Sequence, residues 1–379
     1  MANVKLSNVI RRAQTKVDKD DTDLVFYVGG EHIESENIRV HSRGIIVEST
    51  IGPMFYYGFK AGDFLLVSRN PHLKKAGLVD FDGICSEKTF VLETANSDVL
   101  LPEFLPFVLQ NERFWDYAYR HRHGSTNTFI NWSTLANYEF ELPDLETQRK
   151  LAEVLWSIND TMEAYKNLIS ATDELVKSQF IDMFGEPKNS PDAVSFETAF
   201  TIRDDLRKPI NDAVRSEMHT GQLYPYYGAN GQVDSINDYL MDCDAICLAE
   251  DCGAYGAGEH TSYIVSGKCW VNNHAHVLIP KECCDIEFAN VYFRILDMTE
   301  YVTGTTRLKL TQAKMKTLPM ILPSLELQRE FADFVRQSDK SKFAIQSCSN
   351  LNLSGPQPTR ISPVTPLPRG GVHNGKISI

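Results

Sequence analysis

Apolar or small residues recur at Leu151, Leu155, Ile158, Met162, Tyr165, Ile169, Thr172 and Val176, in steps that alternate four and three. That spacing is a coiled-coil heptad seam, narrower than the stripe of an ordinary amphipathic helix. Asp144 is placed to cap the start, Glu146 lies near the positive helix end, and Gly185 with Pro187 supplies the stop. The pattern predicts one spacer helix over 144–187, roughly 40 residues and about 60 Å at 1.5 Å per residue. It lies between two larger segments and reads as a strut.

The strut opens on a phrase used twice. Leu142-Pro143-Asp144-Leu145-Glu146-Thr147-Gln148-Arg149 returns as Leu322-Pro323-Ser324-Leu325-Glu326-Leu327-Gln328-Arg329, an offset of 180 from Leu142 to Leu322. The same offset carries Gly124-Ser125-Thr126 onto Gly304-Thr305-Thr306, and Ala152 onto Ala332. A repeat of that length implies two similar globular units, each followed by a helix. Chance likeness between two amphipathic helix starts is the bland alternative.

Within the first unit, 1–143, residues 1–23 read as a short helical start, with Val9-Ile10 apolar and Arg11-Arg12 exposed. Short apolar runs separated by Gly and Asp turns (Leu24 to Val28, Gly44 to Val47, Phe64 to Val67, Thr89 to Leu92) read as strands. Phe104, Phe107, Val108, Phe114 and Tyr117 predict a helix over 101–119. The second unit, 188–323, repeats the plan. It has an aromatic turn at Tyr224–Gly231, strands at 246–248, 262–265, 268–271 and 277–279, and a helix at 288–296. The fold class is therefore α+β. A second helix begins after Ser324, with Phe331, Phe334 and Val335 apolar, and its seam fades by residue 349. Residues 350–379, rich in Pro, Gly, Ser and Thr, read as a disordered tail. A second helix of half the length leaves much of the first seam uncovered within one chain.

Charge sets a constraint. The net charge is -12 over 379 residues. Residues 1–143 carry -4, 144–187 carry -5, 188–323 carry -6 and 324–379 carry +3. A polyanion site must therefore be a local cluster on an acidic body. The eight cysteines are irregularly spaced. They read as reduced thiols of a cytoplasmic protein, without the paired spacing of a metal site. No apolar run of membrane length and no signal segment is visible.

Candidate contacts to a polyanion fall in clusters. Arg69, Asn70, Lys74 and Lys75 lie in a polar loop. Arg120 and Arg122 precede Ser125, Thr126 and Asn127, where backbone amides suit a phosphate. Arg39 to Arg43 is the weakest group. In the second unit the candidates are Arg203, Lys208, Tyr227, Asn230, Asn272, Asn273, His274, Thr305, Thr306, Arg307 and Lys309. Arg suits guanine edges and phosphates, and Asn pairs with adenine. Each cluster has a plainer reading: a solvated mixed-charge loop for 69–75 and 120–127, an Asn-held turn for 272–274. Glu250-Asp251 reads as a turn accepting backbone amides or as a carboxylate reading cytosine. The seam residues are Leu151, Leu155, Ile158, Met162, Tyr165, Ile169, Val176, Phe331 and Val335. No phosphate-binding G-x-x-x-x-G-K-[ST], no dinucleotide G-x-G-x-x-G, no Asn/Asp-Pro-Pro-Tyr run and no nuclease carboxylate–lysine cluster is present. Cys269 with His274 or His276 is the one thiol–base alternative. The chain reads as a reader, not a catalyst.

The helix starts LPDLETQRKLAEVL and LPSLELQREFADFV resemble the conserved regions of the DNA-specificity subunit of type I restriction–modification systems. ELVKSQFIDMFGEP is similar to that family's end of the first long helix. PYYGANGQVDSINDYLMD and SGKCWVNNHAHVL are similar to one class of its target-recognition domains. The resemblance covers about residues 1 to 349. It implies two recognition domains, each reading half of a bipartite double-stranded DNA site, and two helices forming an antiparallel coiled coil that sets the gap. It also implies two methyltransferase subunits that bind S-adenosylmethionine and modify adenine, and restriction subunits that use ATP and magnesium. The chain itself would bind no cofactor and do no chemistry. The C-terminal end departs from the family, whose second helix is about as long as its first. That leaves open a shortened regulatory specificity chain, self-association through the uncovered seam, or a scaffold of two modules that binds no DNA.

Overall fold

The structure, a computed structural model, describes residues 2–305 and 307–353. Most of the stretch read as a tail, from residue 354 onward, lies outside the described residues, as does Thr306. The chain divides into two compact units, Met1–Thr161 and Met162 onward. The helix Leu145–Phe184, 40 residues long, runs through the division.

Phe64–Val67 shows how each unit is layered. Its four consecutive residues are all buried. Phe64 and Leu66 face one core with Phe90, Leu92 and the helical residues Leu105 and Phe114. Leu65 and Val67 face a second core with Val28, Phe59 and Val91. Alternation along a strand sends neighbours to opposite faces, so an unbroken apolar run marks a strand covered on both sides. In the second unit Ala245–Ala249 does the same. Ile246 and Leu248 join Phe288 and Tyr292, while Ala245 and Cys247 join Val271 and Val277.

The repeat is a repeat of topology. In the first unit one sheet runs in the order Ile10–Ala13, Thr89–Thr94, Phe64–Val67, Ala76–Leu78, and a second in the order Gly44–Ile45, Phe26–Val28, Gly83–Ser86, Phe55–Phe59. In the second unit the matching orders are Phe200–Ile202, Ala275–Pro280, Ala245–Ala249, Ser262–Val265 and Gly231–Ile236, Tyr224–Gly228, Lys268–Val271, Met241–Asp242. Even the parallel pair recurs, Phe26–Val28 with Gly83–Ser86 and Tyr224–Gly228 with Lys268–Val271. A short antiparallel pair closes each unit at the helix start, Ala2–Lys5 with Glu139–Leu142 and Ala193–Val194 with Met320–Ile321.

The expected elements needed several corrections. Residues 2–13 form two strands around one helical turn, because Leu6, Val9 and Ile10 are drawn into the core and Ile10–Ala13 completes a sheet edge. The helix expected over 101–119 is two, Leu105–Leu109 and Glu112–Arg120, divided where the Asn111 side chain accepts from Arg113 N and starts the second. Tyr224–Gly231 is a hairpin joining two strands, not an isolated turn. His276 lies within the strand Ala275–Pro280 rather than before it. The second long helix is Leu325–Leu353, 29 residues, longer than expected.

The repeated helix-start phrase has a structural job. Gln148 and Gln328 are buried. Gln148 Oε1 accepts from Leu101 N at 2.9 Å, and its Nε2 donates to Val99 O and Pro143 O, both at 2.8 Å. Gln328 repeats this with Asp285 N at 2.8 Å, Cys283 O at 2.9 Å and Pro323 O at 2.8 Å. Each amide satisfies three loop and helix-start backbone groups that would otherwise be buried unpaired. Asp144 caps as expected, accepting from Thr147 N at 2.8 Å, and those Thr147 bonds hold its carboxyl below the usual range.

The seam residues divide between two environments. Leu155 packs on the first unit's core beside Ala152 and Trp156. Val176, Phe331 and Val335 lie in the second unit's core with Phe180, Phe288 and Tyr292. Met162, Tyr165 and Ile169 are half-buried. Leu151 and Ile158 are left uncovered: their exposures are 41% and 39%. Val154, Leu168 and Leu175 are exposed as well. Helical spacing puts Leu151 and Ile158 on the same side as Leu155 and Val176, so the exposure differs with what covers each stretch of the helix, not with the face.

Candidate nucleic-acid interface

One corner is built twice from the same backbone bonds. In the first unit the chain leaves Phe64–Val67 into Ser68-Arg69-Asn70. Ser68 N donates to Lys88 O at 2.7 Å and Ile130 N donates to Ser68 O at 2.9 Å. Beside it a hairpin loop closes where His123 and Phe129 exchange bonds at 2.7 and 2.9 Å. In the second unit Glu250 N donates to His274 O, and Leu310 N to Glu250 O, both at 2.8 Å. Thr303 and Lys309 close the matching hairpin at 2.9 and 2.8 Å. The turn in each rests on a glycine in the left-handed region, Gly124 at φ 86° and Gly304 at φ 94°. A Cβ on Gly124 would stand 3.0 Å from Asn127 O. Register along these bonds pairs Ser68 with Glu250, Arg69 with Asp251, Lys88 with His274, and Asn127 with Arg307.

The second corner is a charged network. Lys309 Nζ lies 2.7 Å from Glu250 Oε1, and Arg207 bonds the other Glu250 oxygen. Arg207 also reaches Asp204 at 3.2 Å, and Asp204 Oδ2 is 2.8 Å from His276 Nδ1. His276 is fully buried, with Nε2 2.9 Å from Leu310 O. Burial opposes the charges of Asp204 and Glu250. His276, Gln312 and Arg207 outweigh it at Asp204, and Lys309 and Arg207 at Glu250, so both carboxyls sit below the usual range. Beside this network Asp251 Oδ1 is 2.8 Å from His274 Nδ1, and Asp251 Oδ2 pairs with Arg307. Asn230, Asp251, Thr305, Arg307 and Leu308 surround a shallow concavity of about 440 Å³.

Three of the candidates in the second unit therefore come together: Asn230, Thr305 and Arg307, with His274 one bond behind through Asp251. Others are structural. Asn272 is buried, and its Oδ1 accepts from His274 N at 2.8 Å, the plainer turn reading. Asn273 is exposed, with its carbonyl 3.3 Å from the Arg207 guanidinium. Tyr227 stacks on Tyr263 at 5.5 Å, and burial pushes its hydroxyl up. Arg203 is clamped by Asp205 at 2.9 and 2.8 Å, while Lys208 is exposed. Lys309 is committed to Glu250.

In the first unit Arg69 is exposed, its guanidinium 5.4 Å from the Phe129 ring centre. Asn70, in the left-handed region, ties the loop to the hairpin through its N–H to Thr128 O at 2.8 Å. Lys74 and Lys75 are turned inward. Lys74 bridges Glu36 and Glu112, each at 2.7 Å, and Lys75 donates to Gly30 O at 2.7 Å. Arg43 covers Phe26 and Phe81, and Arg39 lies over Trp156 and pairs with Asp160 at 2.7 Å. Arg120 is exposed, 4.0 Å from Asp116; Arg122 folds over Tyr119 and donates to its carbonyl at 2.6 Å. Ser125, Thr126 and Asn127 are exposed at the hairpin tip.

Sequence reasoning does not select Asp204, Arg207 or Lys88 as site residues, and leaves Glu250-Asp251 between a turn and a carboxylate reading cytosine. The signal was blurred by register. The repeat offset is 180 from Ile130 to Leu310, 182 from Arg69 to Asp251 and 186 from Lys88 to His274, so one fixed offset misses the corner. The thiol–base alternative has poor geometry. Cys269 is buried, burial pushes its thiol up to about 11, and His276 is held by Asp204 and Leu310 O. Among the described residues no group of three or more His, Cys, Asp or Glu is arranged to hold a metal ion, and no helix is long and apolar enough to cross a membrane.

Comparison with known proteins finds one family along both units. The model of the family described as type I restriction modification DNA specificity domain matches residues 9–171 and 211–352. A putative type I restriction enzyme specificity subunit of Haemophilus influenzae is 33% identical over 129 residues, 34% of this chain and 32% of that protein. The type I restriction enzyme HindI specificity subunit of the same organism is 25% identical over 130 residues, 33% of this chain and 28% of that protein. The aligned stretch thus spans about a third of either relative. The crystal structure of a type I restriction-modification system S subunit from M. genitalium shares the fold, with a TM-score of 0.55 at 15% identity over 93% of this chain and 92% of that one. With its family model matching both units over more than half of the sequence, the chain belongs to the type I restriction–modification DNA specificity family.

Proposed function

We propose that this chain is the DNA-reading subunit of a type I restriction–modification complex. Each unit reads one half of a bipartite duplex site with the corner described above, and the long helix sets the distance between halves. The observation that carries the proposal is the family match across both units, joined to a corner built twice with different side chains. Two readers of different half-sites need one scaffold and two sets of side chains. The chain performs no chemistry in this reading. Two methyltransferase subunits bind S-adenosylmethionine and modify an adenine in each half, and restriction subunits use ATP and magnesium. The complex works in the cytoplasm.

The net charge of -12 favours a second reading, a scaffold of two modules that binds no DNA. One experiment separates them: methylome sequencing of cells with and without the chain, expressed with its methyltransferase partner. A methylated-adenine motif of two short halves around a fixed gap, lost on deletion, supports DNA reading. Unchanged methylation together with no retention of any duplex from a random pool sinks it in favour of the scaffold.

A further inference from the structure

We propose that Arg307 reads a guanine in the half-site of the second unit, and that Asp251, backed by His274, is the positioning residue that holds it ready. The inference rests on the reading of this chain as a DNA-recognising subunit, and names a base contact within it.

Three observations carry it. First, the Arg307 side chain is 69% exposed, yet one edge of its guanidinium is fixed to Asp251, whose own side chain is only 11% exposed. Second, Asp251 is itself fixed, with its other oxygen 2.8 Å from His274 Nδ1, and His274 N is held by Asn272 Oδ1 at 2.8 Å. An exposed ion pair adds little stability. A largely exposed guanidinium moored on one edge gains something else. Its remaining donors keep the planar fork of the guanidinium, and the mooring restricts the rotamers, so less freedom is lost on binding. Guanine presents O6 and N7 side by side in the major groove, the acceptor pair that fits such a fork. Asn230 and Thr305 border the same concavity and offer polar groups to a neighbouring base or phosphate.

Third, the first unit keeps an arginine at the same corner but takes it from the other side. Arg69 stands where Asp251 does, and Asn127 stands where Arg307 does, by the shared backbone bonds. Arg69 rests against Phe129 rather than a carboxylate. The corner is thus a place where an exposed arginine is steadied by whatever lies opposite it, and exchanging the sides changes what the corner presents.

The test uses the full chain and double-stranded DNA. Selection from a random duplex pool first defines the preferred sequence. Each guanine is then replaced by 7-deazaguanine, which lacks the N7 acceptor. The expected result is one position in one half-site where wild type loses about 10-fold in affinity on that replacement. Arg307→Ala should lose the preference for guanine there, keep all others, and be indifferent to 7-deazaguanine. Asp251→Asn should shrink the same preference several-fold with the salt dependence unchanged, a result that general unfolding does not produce. If Arg307→Ala instead weakens all sequences equally and lowers the salt slope by about one, the residue is a phosphate contact and the proposal falls. Full retention of the preference in Asp251→Asn removes the positioning role. A wild-type chain that selects no sequence fails at the earlier step and takes the DNA-reading proposal with it.

Discussion

Gln148 and Gln328 show how a single side chain accounts for a repeated phrase. Their amides each satisfy one backbone N–H and two carbonyls at a buried junction between helix start and domain. Removing the amide leaves those groups without water or partner, at about 1–3 kcal/mol for each unsatisfied group. Gln328→Ala should therefore lower the stability of the second unit by about 3 kcal/mol, more than its volume alone explains. Denaturant unfolding followed by Trp270 fluorescence measures this; a loss below about 1 kcal/mol would mean that the junction re-pairs with water. Gln in this phrase was legible as a repeat but not as a latch, because its partners Val99, Leu101, Cys283 and Asp285 are distant in sequence. The basic residues teach the converse. Lys74 and Lys75 stand among the most basic stretches of the chain, yet Glu36, Glu112 and Gly30 O engage them. Sequence proximity of positive charge does not tell which charges face outward.

The spacer helix is the element most readable from the chain. Its register lies within 40 consecutive residues and its cap and stop immediately flank them, and helix formation depends on neighbours three and four apart. The faces were harder. Leu155 meets the first unit's core and Val176 the second's, whereas Leu151 and Ile158, at the same heptad spacing, are exposed. Leu155→Asp should destabilise the first unit by about 2 kcal/mol or more. Leu151→Asp should leave the melting of the isolated chain within about 0.5 kcal/mol of wild type. Equal losses in thermal melting would mean that both positions share one buried face. The sequence shows strands where a mostly apolar run stands between turn residues, as at Phe64–Val67, Ser262–Val265 and Lys268–Val271. Phe55–Phe59, Ala76–Leu78 and Gly83–Ser86 are not legible in this way, since a glycine stands in each run and their pairing comes from residues elsewhere.

At the level of the whole molecule, two units of one topology are anchored on one continuous helix. Leu155 and Trp156 tie it to the first unit, Val176 and Phe180 to the second. The stretch 161–167 belongs to neither core, so its removal should leave both units folded. Seven residues are nearly two turns, which shortens the helix by about 10 Å and turns its far end by only about 20°. If the helix sets half-site separation, a chain lacking 161–167 should select the same half-sites about three base pairs closer together, at 3.4 Å per step. Selection of an unchanged gap would end the ruler reading. The acidic body fits recognition by a few placed cations, because the carboxylates at the second corner hold Arg207, Arg307 and Lys309 in position.

The chain alone settles what depends on near neighbours and on pattern. The α+β class, the long helix and its cap, the duplication, and the arginines and asparagines near Gly124 and Gly304 are all written in local spacing. Only the folded form decides which of those side chains meet. Asp251, His274 and Arg307 are brought together by strand pairing and a hairpin across more than 50 residues of sequence. The backbone bonds that align this corner with Arg69 and Lys88 do not keep a constant offset along the chain. Long-range pairing is set by the cooperative burial of both sheet faces, and no window of sequence contains that information.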